Sequence, residues 1–317
     1  MNKERRLFIN QLSVVTALAA FSRPAASLAG ISKNISSLHS LRNQVTIFHT
    51  SDLHGHIKPA NGNAGGLNNI QTILSKQDTG GLLFDSGDFL GNSTNVSSRI
   101  EVINTMNKMG YHAATIGNEE LAMGQDHLAS LIPMMNFSLV NCNYSLEGGL
   151  SNLVKPYIIV NLGKFKVGIT GVGHKLKSVV YNDAIESAND TASILKEKEK
   201  CDLVICLSHL GYKQPGDQPD DQKLARQSEH IDMIISGHNR FLLSGSIIKQ
   251  NKLKHEVLIS PAAYNGLMIG KTVFSFENSK QKHYIKTKNL VAQETYGQSF
   301  AEAFGEISAG EKRLMSV

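Results

Sequence analysis

Val45-Thr46-Ile47-Phe48-His49-Thr50-Ser51-Asp52-Leu53-His54 is the stretch on which the reading of this chain turns. A short apolar run gives way to polar residues and then presents Asp52 and His54 two positions apart. This is the form of a strand that delivers two ligand-type side chains to one edge of a sheet. The pattern recurs: Gly81-Leu82-Leu83-Phe84 runs into Asp85-Ser86-Gly87-Asp88, and Ala113-Ala114-Thr115-Ile116 into Gly117-Asn118. Leu203 to Leu207 runs into Ser208-His209, and Ile231 to Ile235 into Ser236-Gly237-His238. One Asp or His at a strand end is ordinarily a cap or a turn residue. Five strands that each end in Asp, Asn or His predict a shared crevice, because ligands of open α/β sheets bind beyond the carboxyl ends of the strands. Carboxylate, amide and imidazole together are the donor set of a divalent-cation site suited to hydrolysis.

A chain of 317 residues with 41% hydrophobic content can bury a large core. The strand and helix runs alternate without a linker, which favours one α/β domain over two. Of the formal charge of +5, residues 1–29 supply +3, leaving +2 for the rest. Without a dense Lys/Arg stripe interleaved with aromatics, nucleic acid is not an expected partner. The Lys/Glu alternation from Lys196 to Lys200 reads as a solvated helix end. At the start, Arg5-Arg6-Leu7-Phe8 precedes an apolar run from Val14 to Phe21, then Arg23-Pro24 and the small residues to Ala29. That order predicts a twin-arginine secretion signal over residues 1–29, cut near Ala29, and a periplasmic mature protein. The run falls short of the roughly 20 apolar residues needed to span a bilayer, so no transmembrane anchor is expected after cleavage. Residues 30–43 read as a flexible lead, 44–290 as the domain and 291–317 as a C-terminal tail. Three cysteines exclude a disulfide framework. Cys201 and Cys206 flank one strand and stand roughly 16 Å apart in extended chain, too far to bridge. Neither they nor Cys142 receive a role.

Between the strands, His56 to Ala64 reads as a loop over the site, and Gly65-Gly66 opens a helix with Leu67, Ile70, Ile73 and Leu74 on one face. Turn residues from Asn92 to Val96 precede a helix that buries Ile100, Ile103 and Met106. Gly163-Lys164 between Tyr157–Leu162 and Phe165–Thr170 predicts a hairpin, hence a mixed sheet. Asp183 to Lys200 is expected as one long helix, with strands at Val257–Ile259 and Ile269–Phe276. His49 and His56 border the first block as supporting or loop polar groups. His112 and His127 read as structural or surface residues.

Asp52-Leu53-His54, Gly87-Asp88, Gly117-Asn118-Glu119-Glu120, Ser208-His209-Leu210-Gly211 and Gly237-His238-Asn239-Arg240 resemble, in order and at compatible spacing, the five blocks of the calcineurin-like metallophosphoesterases. The segment from Phe48 to His56, and Tyr264-Asn265-Gly266 followed by Gly270, resemble the opening and closing blocks of the metallophosphatase domain of 5'-nucleotidases. The resemblance implies a four-layer α/β/β/α sandwich, with two mixed sheets between helical layers. It also implies two divalent cations sharing Asp88, with Mn, Zn, Mg and Fe all admissible. Asn118, His209 and His238 would complete one cation site. Asp52 and His54 would serve the other, together with the last His of a Gly-His-x-His block. In that family an activated water attacks phosphorus in line, and a His beside the metal-bound Asn protonates the leaving oxygen.

Two departures matter. Arg240 stands where the last ligand His belongs, and a guanidinium donates to anions but cannot ligate a cation. Glu119 and Ala122 stand where the family has its proton-donating His and the Asp that orients it. One or two cations per chain are therefore expected, with weakened general-acid catalysis, a contribution typically about 10²- to 10⁴-fold. Three roles stay open for Glu119: proton donor, metal contact, or ion-pair partner of Arg240. The expected substrate is a small-molecule phosphoester. Because a nucleoside-binding domain is not encoded in this sequence, a separate chain is expected to supply specificity. The alternatives are a non-catalytic relative that keeps the fold and one cation site, or a thiosulfohydrolase-type hydrolase.

Overall fold

Strands buried on both faces read as continuous apolar runs, and this chain folds two sheets of them against each other. The computed structural model describes residues 43–59, 63–238 and 245–292. The expected export signal and flexible lead up to residue 42, Arg240, and the tail beyond residue 292 lie outside the described residues.

In chain order, β1 (Gln44–Thr50) is followed by α1 (Gly66–Ser75), β2 (Leu82–Asp85), α2 (Val96–Met109), β3 (Ala113–Ala114), α3 (Gln125–Leu131), β4 (Ser138–Leu139) and β5 (Tyr144–Ser145). Then come α4 (Leu150–Leu153), β6 (Tyr157–Leu162), β7 (Phe165–Gly173), β8 (Val180–Tyr181), α5 (Ala184–Ser193) and β9 (Leu203–His209). The described chain closes with α6 (Asp221–Gln227), β10 (Met233–Ser236), β11 (Ile247–Gln250), β12 (Glu256–Pro261), β13 (Met268–Phe276) and β14 (Lys282–Val291). One sheet has the order β14-β13-β1-β2-β3-β4 and the other β11-β12-β10-β9-β7-β6, while β5 and β8 form a small pair. β1, β2, β3 and β4 run parallel, as do β7, β9, β10 and β12; antiparallel strands flank both groups.

Alternation along each strand assigns the layers. Val45, Ile47, Leu82, Phe84 and Phe274 from the first sheet meet Val167, Ile169, Leu203, Ile205, Leu207, Met233 and Ile235 from the second in one core. The opposite faces carry Phe48, Leu83 and Ile269 under α1 and α2, and Val172, Val204, Cys206 and Ile234 under α5 and α6. Helix, sheet, sheet, helix is the expected four-layer sandwich of two mixed sheets.

Most expected elements are present, and the Gly163-Lys164 hairpin closes with Leu162 paired to Phe165. One reading needs correction, and two that left alternatives open are narrowed. The segment Asp183 to Lys200 is not one α-helix: α5 starts from an Asp183 cap and passes at Ile194 into a turn of π-helix, Ile194–Lys198. Leu195 in that turn is buried against Gly168 of β7, where even a Cβ would come within 2.8 Å of it. Of the two readings of His49, supporting or loop polar group, the loop one falls: His49 is part of β1, fully buried, with Nε2 2.9 Å from Ser260 Oγ. Of the two readings of His112, structural or surface, the structural one holds: it is buried, and its Nδ1 accepts the Leu83 N–H.

Candidate metal centre

The parallel strands of both sheets run to one end of the sandwich and release their polar termini there. Asp52 and His54 follow β1, Asp88 follows β2, Asn118 and Glu119 follow β3, His209 ends β9, and His238 follows β10. Asp52, His54, Asp88 and His238 all have left-handed backbone, with φ of 49°, 48°, 57° and 59°. Non-glycine residues seldom adopt it, and they persist in it where surrounding bonds over-determine the chain. Such bonds are present: Asp52 N–H donates to Gly87 O, His54 N–H to Asp88 O, and Asn265 N–H to Asp52 O. His238 N–H donates to Asp52 Oδ1 at 3.0 Å, linking the two sheets.

Asp88 sits at the centre. Its Oδ1 accepts the Glu119 N–H at 2.8 Å, and its Oδ2 lies 3.3 Å from His209 Nε2 without forming an aligned hydrogen bond. Among the described residues, three sets of ligand-type atoms gather within 4.8 Å of one another: Asp52, Asp88 and His209; His54, Asp88 and Glu119; and His174, His209 and His238. Asn118 comes directly after Gly117, which packs so tightly that a Cβ on it would meet Asp88 Oδ1 and His209 Nε2. Thus the geometry brings together Asp52, His54, Asp88, Glu119, His209 and His238, with Asn118 beside them.

Orientation of the imidazoles follows from their other nitrogens. His209 Nδ1 is 2.7 Å from Ser86 O, a carbonyl that can only accept, so Nδ1 carries a proton and Nε2 is the nitrogen left to take a cation or a second proton. His54 Nδ1 lies 2.8 Å from Asn265 Oδ1 and is set the same way. Asp52 Oδ2, Asn118 Oδ1, Glu119 Oε2 and His209 Nε2 are buried and have no hydrogen-bond partner among the described residues. Buried polar atoms without partners are rare. Four lone-pair atoms of this kind, at the ends of strands from both sheets, fit a divalent cation.

The electrostatics agree. Burial, then the charges of Asp88, Glu120 and Asp52, push the Glu119 carboxyl up to about 8. Burial opposes charge on both Asp88 and His209, yet each holds the other ionised: Asp88 is drawn down to about 2 and His209 up to about 10. Carboxylates this close repel one another, and either an imidazolium proton or a cation relieves the repulsion. Both compete for the same Nε2 lone pair.

Several contributors escape a reading of the sequence. Glu120 is fully buried and clamps the loops after β2 and β3, accepting the N–H groups of Asp88, Leu90 and Gly117 at 2.8–3.0 Å. Arg99 of α2 is buried too; its Nη2 donates to Glu119 O and Gly91 O at 3.0 Å and so fixes the backbone beside Glu119. His174 follows β7 and stacks on His238 with ring centroids 4.2 Å apart. Its signal was available, since Gly173-His174 repeats the polar strand ending of the other blocks.

The sequence profile of the calcineurin-like phosphoesterase family matches residues 45–239. The trifunctional nucleotide phosphoesterase of Bacillus subtilis is 25% identical over 276 residues, 74% of this chain and 18% of that protein. The snake venom 5'-nucleotidase of Gloydius brevicauda is 28% identical over 230 residues, 64% of this chain and 38% of its own length. This chain therefore spans less than half of either. Among solved structures, a 5'-nucleotidase precursor from Thermus thermophilus shares the fold at a TM-score of 0.71 and 23% identity, over 86% of this chain and 59% of the other. With the fold, the strand-end cluster and a profile match across most of the described residues in agreement, this chain belongs to the calcineurin-like phosphoesterases.

Proposed function

We propose that this chain is an exported, metal-dependent phosphoesterase that hydrolyses phosphate monoesters, nucleotide-like ones among them, with weakened proton donation to the leaving group. The supporting observation is the set of unpartnered buried donor atoms on Asp52, Asn118, Glu119 and His209. Asp52, His54, Asp88 and Glu119 on one side, and Asp88, Asn118, His209 and His238 on the other, are the residues that would hold one or two divalent cations. When bound, such cations supply Lewis-acid stabilisation of phosphoryl charge and a water of lowered pKa.

The chain's own residues define what accompanies that chemistry. Asp88 stands between the two donor sets, and Ser86 and Asn265 hold His209 and His54 with their Nε2 atoms available. Glu119 occupies the family's proton-donor position, yet its Oε1 points to within 3.9 Å of His54 Nε2. We assign Glu119 to the His54 and Asp88 donor set, in place of the imidazole that Arg240 removes. That leaves the leaving oxygen without a dedicated acid, so substrates whose leaving group needs no proton are favoured.

The test is hydrolysis of an aryl phosphate and an alkyl phosphate by protein loaded with Mn²⁺ or Zn²⁺. Metal-dependent turnover of the aryl ester is expected, well above that of the alkyl ester, and is lost on chelation and in Asp88→Asn. The missing His and Asp at Glu119 and Ala122 also favour a second reading, a non-catalytic relative that keeps the fold and a cation. Absence of turnover by folded, metal-loaded protein on both esters would establish that reading instead.

A further inference from the structure

Of three neighbouring parallel strands in the second sheet, β9 ends in His209, β7 is followed directly by His174, and His238 lies two residues beyond β10. Gly173 pairs with His209 across β7 and β9, and Ser208 pairs with Ser236 across β9 and β10, so His174, His209 and His238 leave the sheet side by side. One ring nitrogen from each lies within 4.8 Å of the other two. Ring centroids are 4.2 Å apart for His174 and His238, 5.0 Å for His209 and His238, and 5.9 Å for His174 and His209.

Hydrogen bonds set two of these rings for ligation. His174 Nδ1 lies 3.2 Å from His209 O and must donate to that carbonyl, just as His209 Nδ1 donates to Ser86 O. Each therefore leaves Nε2 as the nitrogen that can ligate, the arrangement that orients metal-bound histidines. His209 Nε2 is fully buried and unpartnered. The backbone carrying His174 is also held: Tyr144 Oη donates to His174 O at 2.6 Å, and Asn143 both donates to Gly173 O and accepts its N–H. A ring that merely filled space would need none of this.

We propose that His174 is a ligand of the cation held by His209 and His238, giving this chain a three-imidazole site within its phosphoesterase centre. The inference rests on the reading that a cation binds at these strand ends. Nitrogens on one tetrahedral zinc stand about 3.3 Å apart, so rings already within 4.8 Å close on an ion with small side-chain movement. A donor set of three imidazoles selects Zn²⁺, Co²⁺ or Ni²⁺ over Mg²⁺ or Ca²⁺, which prefer oxygen. The consequence is a borderline-soft cation in a site whose other donors, Asp88 and Asn118, supply oxygen.

Full-length protein is stripped with chelator and titrated with Co²⁺ and Zn²⁺, following the visible d–d absorption of cobalt and the heat of zinc binding. The wild type is compared with His174→Phe, which keeps a ring to stack on His238 but has no nitrogen, and with His174→Ala. Both variants are expected to lose more zinc affinity than the roughly 10- to 100-fold that removal of an outer-shell partner costs and to shift the cobalt spectrum, while unfolding in the metal-free state as wild type does. Wild-type affinity and spectrum in His174→Phe overturn the assignment of His174 and leave the centre itself standing. Wild-type protein that takes up neither ion overturns both. If either variant unfolds without metal, His174→Gln, which is uncharged and keeps the chain length, replaces it under the same criteria.

Discussion

A single buried histidine shows how much one residue contributes to the behaviour of the fold. His112 Nδ1 accepts the Leu83 N–H, a bond that exists only while that nitrogen is unprotonated, and burial pulls the imidazole down to about 4. As pH falls through about 6.5 the unfolded chain binds a proton at this residue, while the folded chain holds off until about 4. The stability His112 contributes is thus present above 6.5 and lost progressively down to about 4. In His112→Gln the amide oxygen accepts the same N–H without titrating. The difference in unfolding free energy between wild type and variant should shift against wild type by on the order of 2–3 kcal/mol from pH 7 to pH 4. Urea titrations at both pH values measure it, and a pH-independent difference would refute it. Glu120 makes a related point. As a residue type it reads as one more acid after Asn118, and its function as a clamp exists only because Asp88, Leu90 and Gly117 bring three N–H groups to it.

At the scale of elements, the two sheets approach each other tightly where β7 passes the segment after β4. Gly171 O accepts the Cys142 N–H, and a Cβ on Gly171 would lie 2.4 Å from both Thr115 Oγ1 and Val140 O. Thr115 itself donates to Val140 O at 2.8 Å, so neither atom is free to retreat. Gly171→Ala should destabilise the protein by about 1–3 kcal/mol through overpacking and weaken cation binding, because His174 lies only three residues along the displaced strand. Thermal unfolding with a zinc titration tests both effects, and a variant with wild-type values would show that the sheets yield at this point. The end of α5 has the same lesson in milder form: the periodicity of Asp183 to Lys200 is helical throughout, but burying Leu195 against Gly168 selects a wider turn.

For the whole molecule, the site depends on contacts that span nearly the entire described chain. β1 lies between β2 and β13, with Gln44 paired to Ser275, and the cluster joins Asp52 to His238. Such non-local pairing forms only after most of the chain is available. On the proposed reading of an exported metalloprotein, a cation would be loaded before export, which suits a route that carries folded proteins, the one expected from Arg5-Arg6 and the following apolar run. Among the described residues, no helix is long and apolar enough to cross a membrane. Exchanging Arg5 and Arg6 together for Lys should leave uncleaved protein in the cytoplasm, visible by fractionation and mass; a cleaved periplasmic product would remove the twin-arginine part of the proposal. By itself the sequence determined where the central strands run and which polar residues follow them, since an apolar run followed by Asp, Asn or His is a local pattern, whereas β5, β8, β11 and β14 carry no such signal. Tertiary structure alone decided that Asp88 and His209 share their charge, that Glu119 faces His54, and that His174 joins His209 and His238. A lone pair is aimed by its neighbours, and here those neighbours, Ser86, Asn265 and the carbonyl of His209, come from distant parts of the chain.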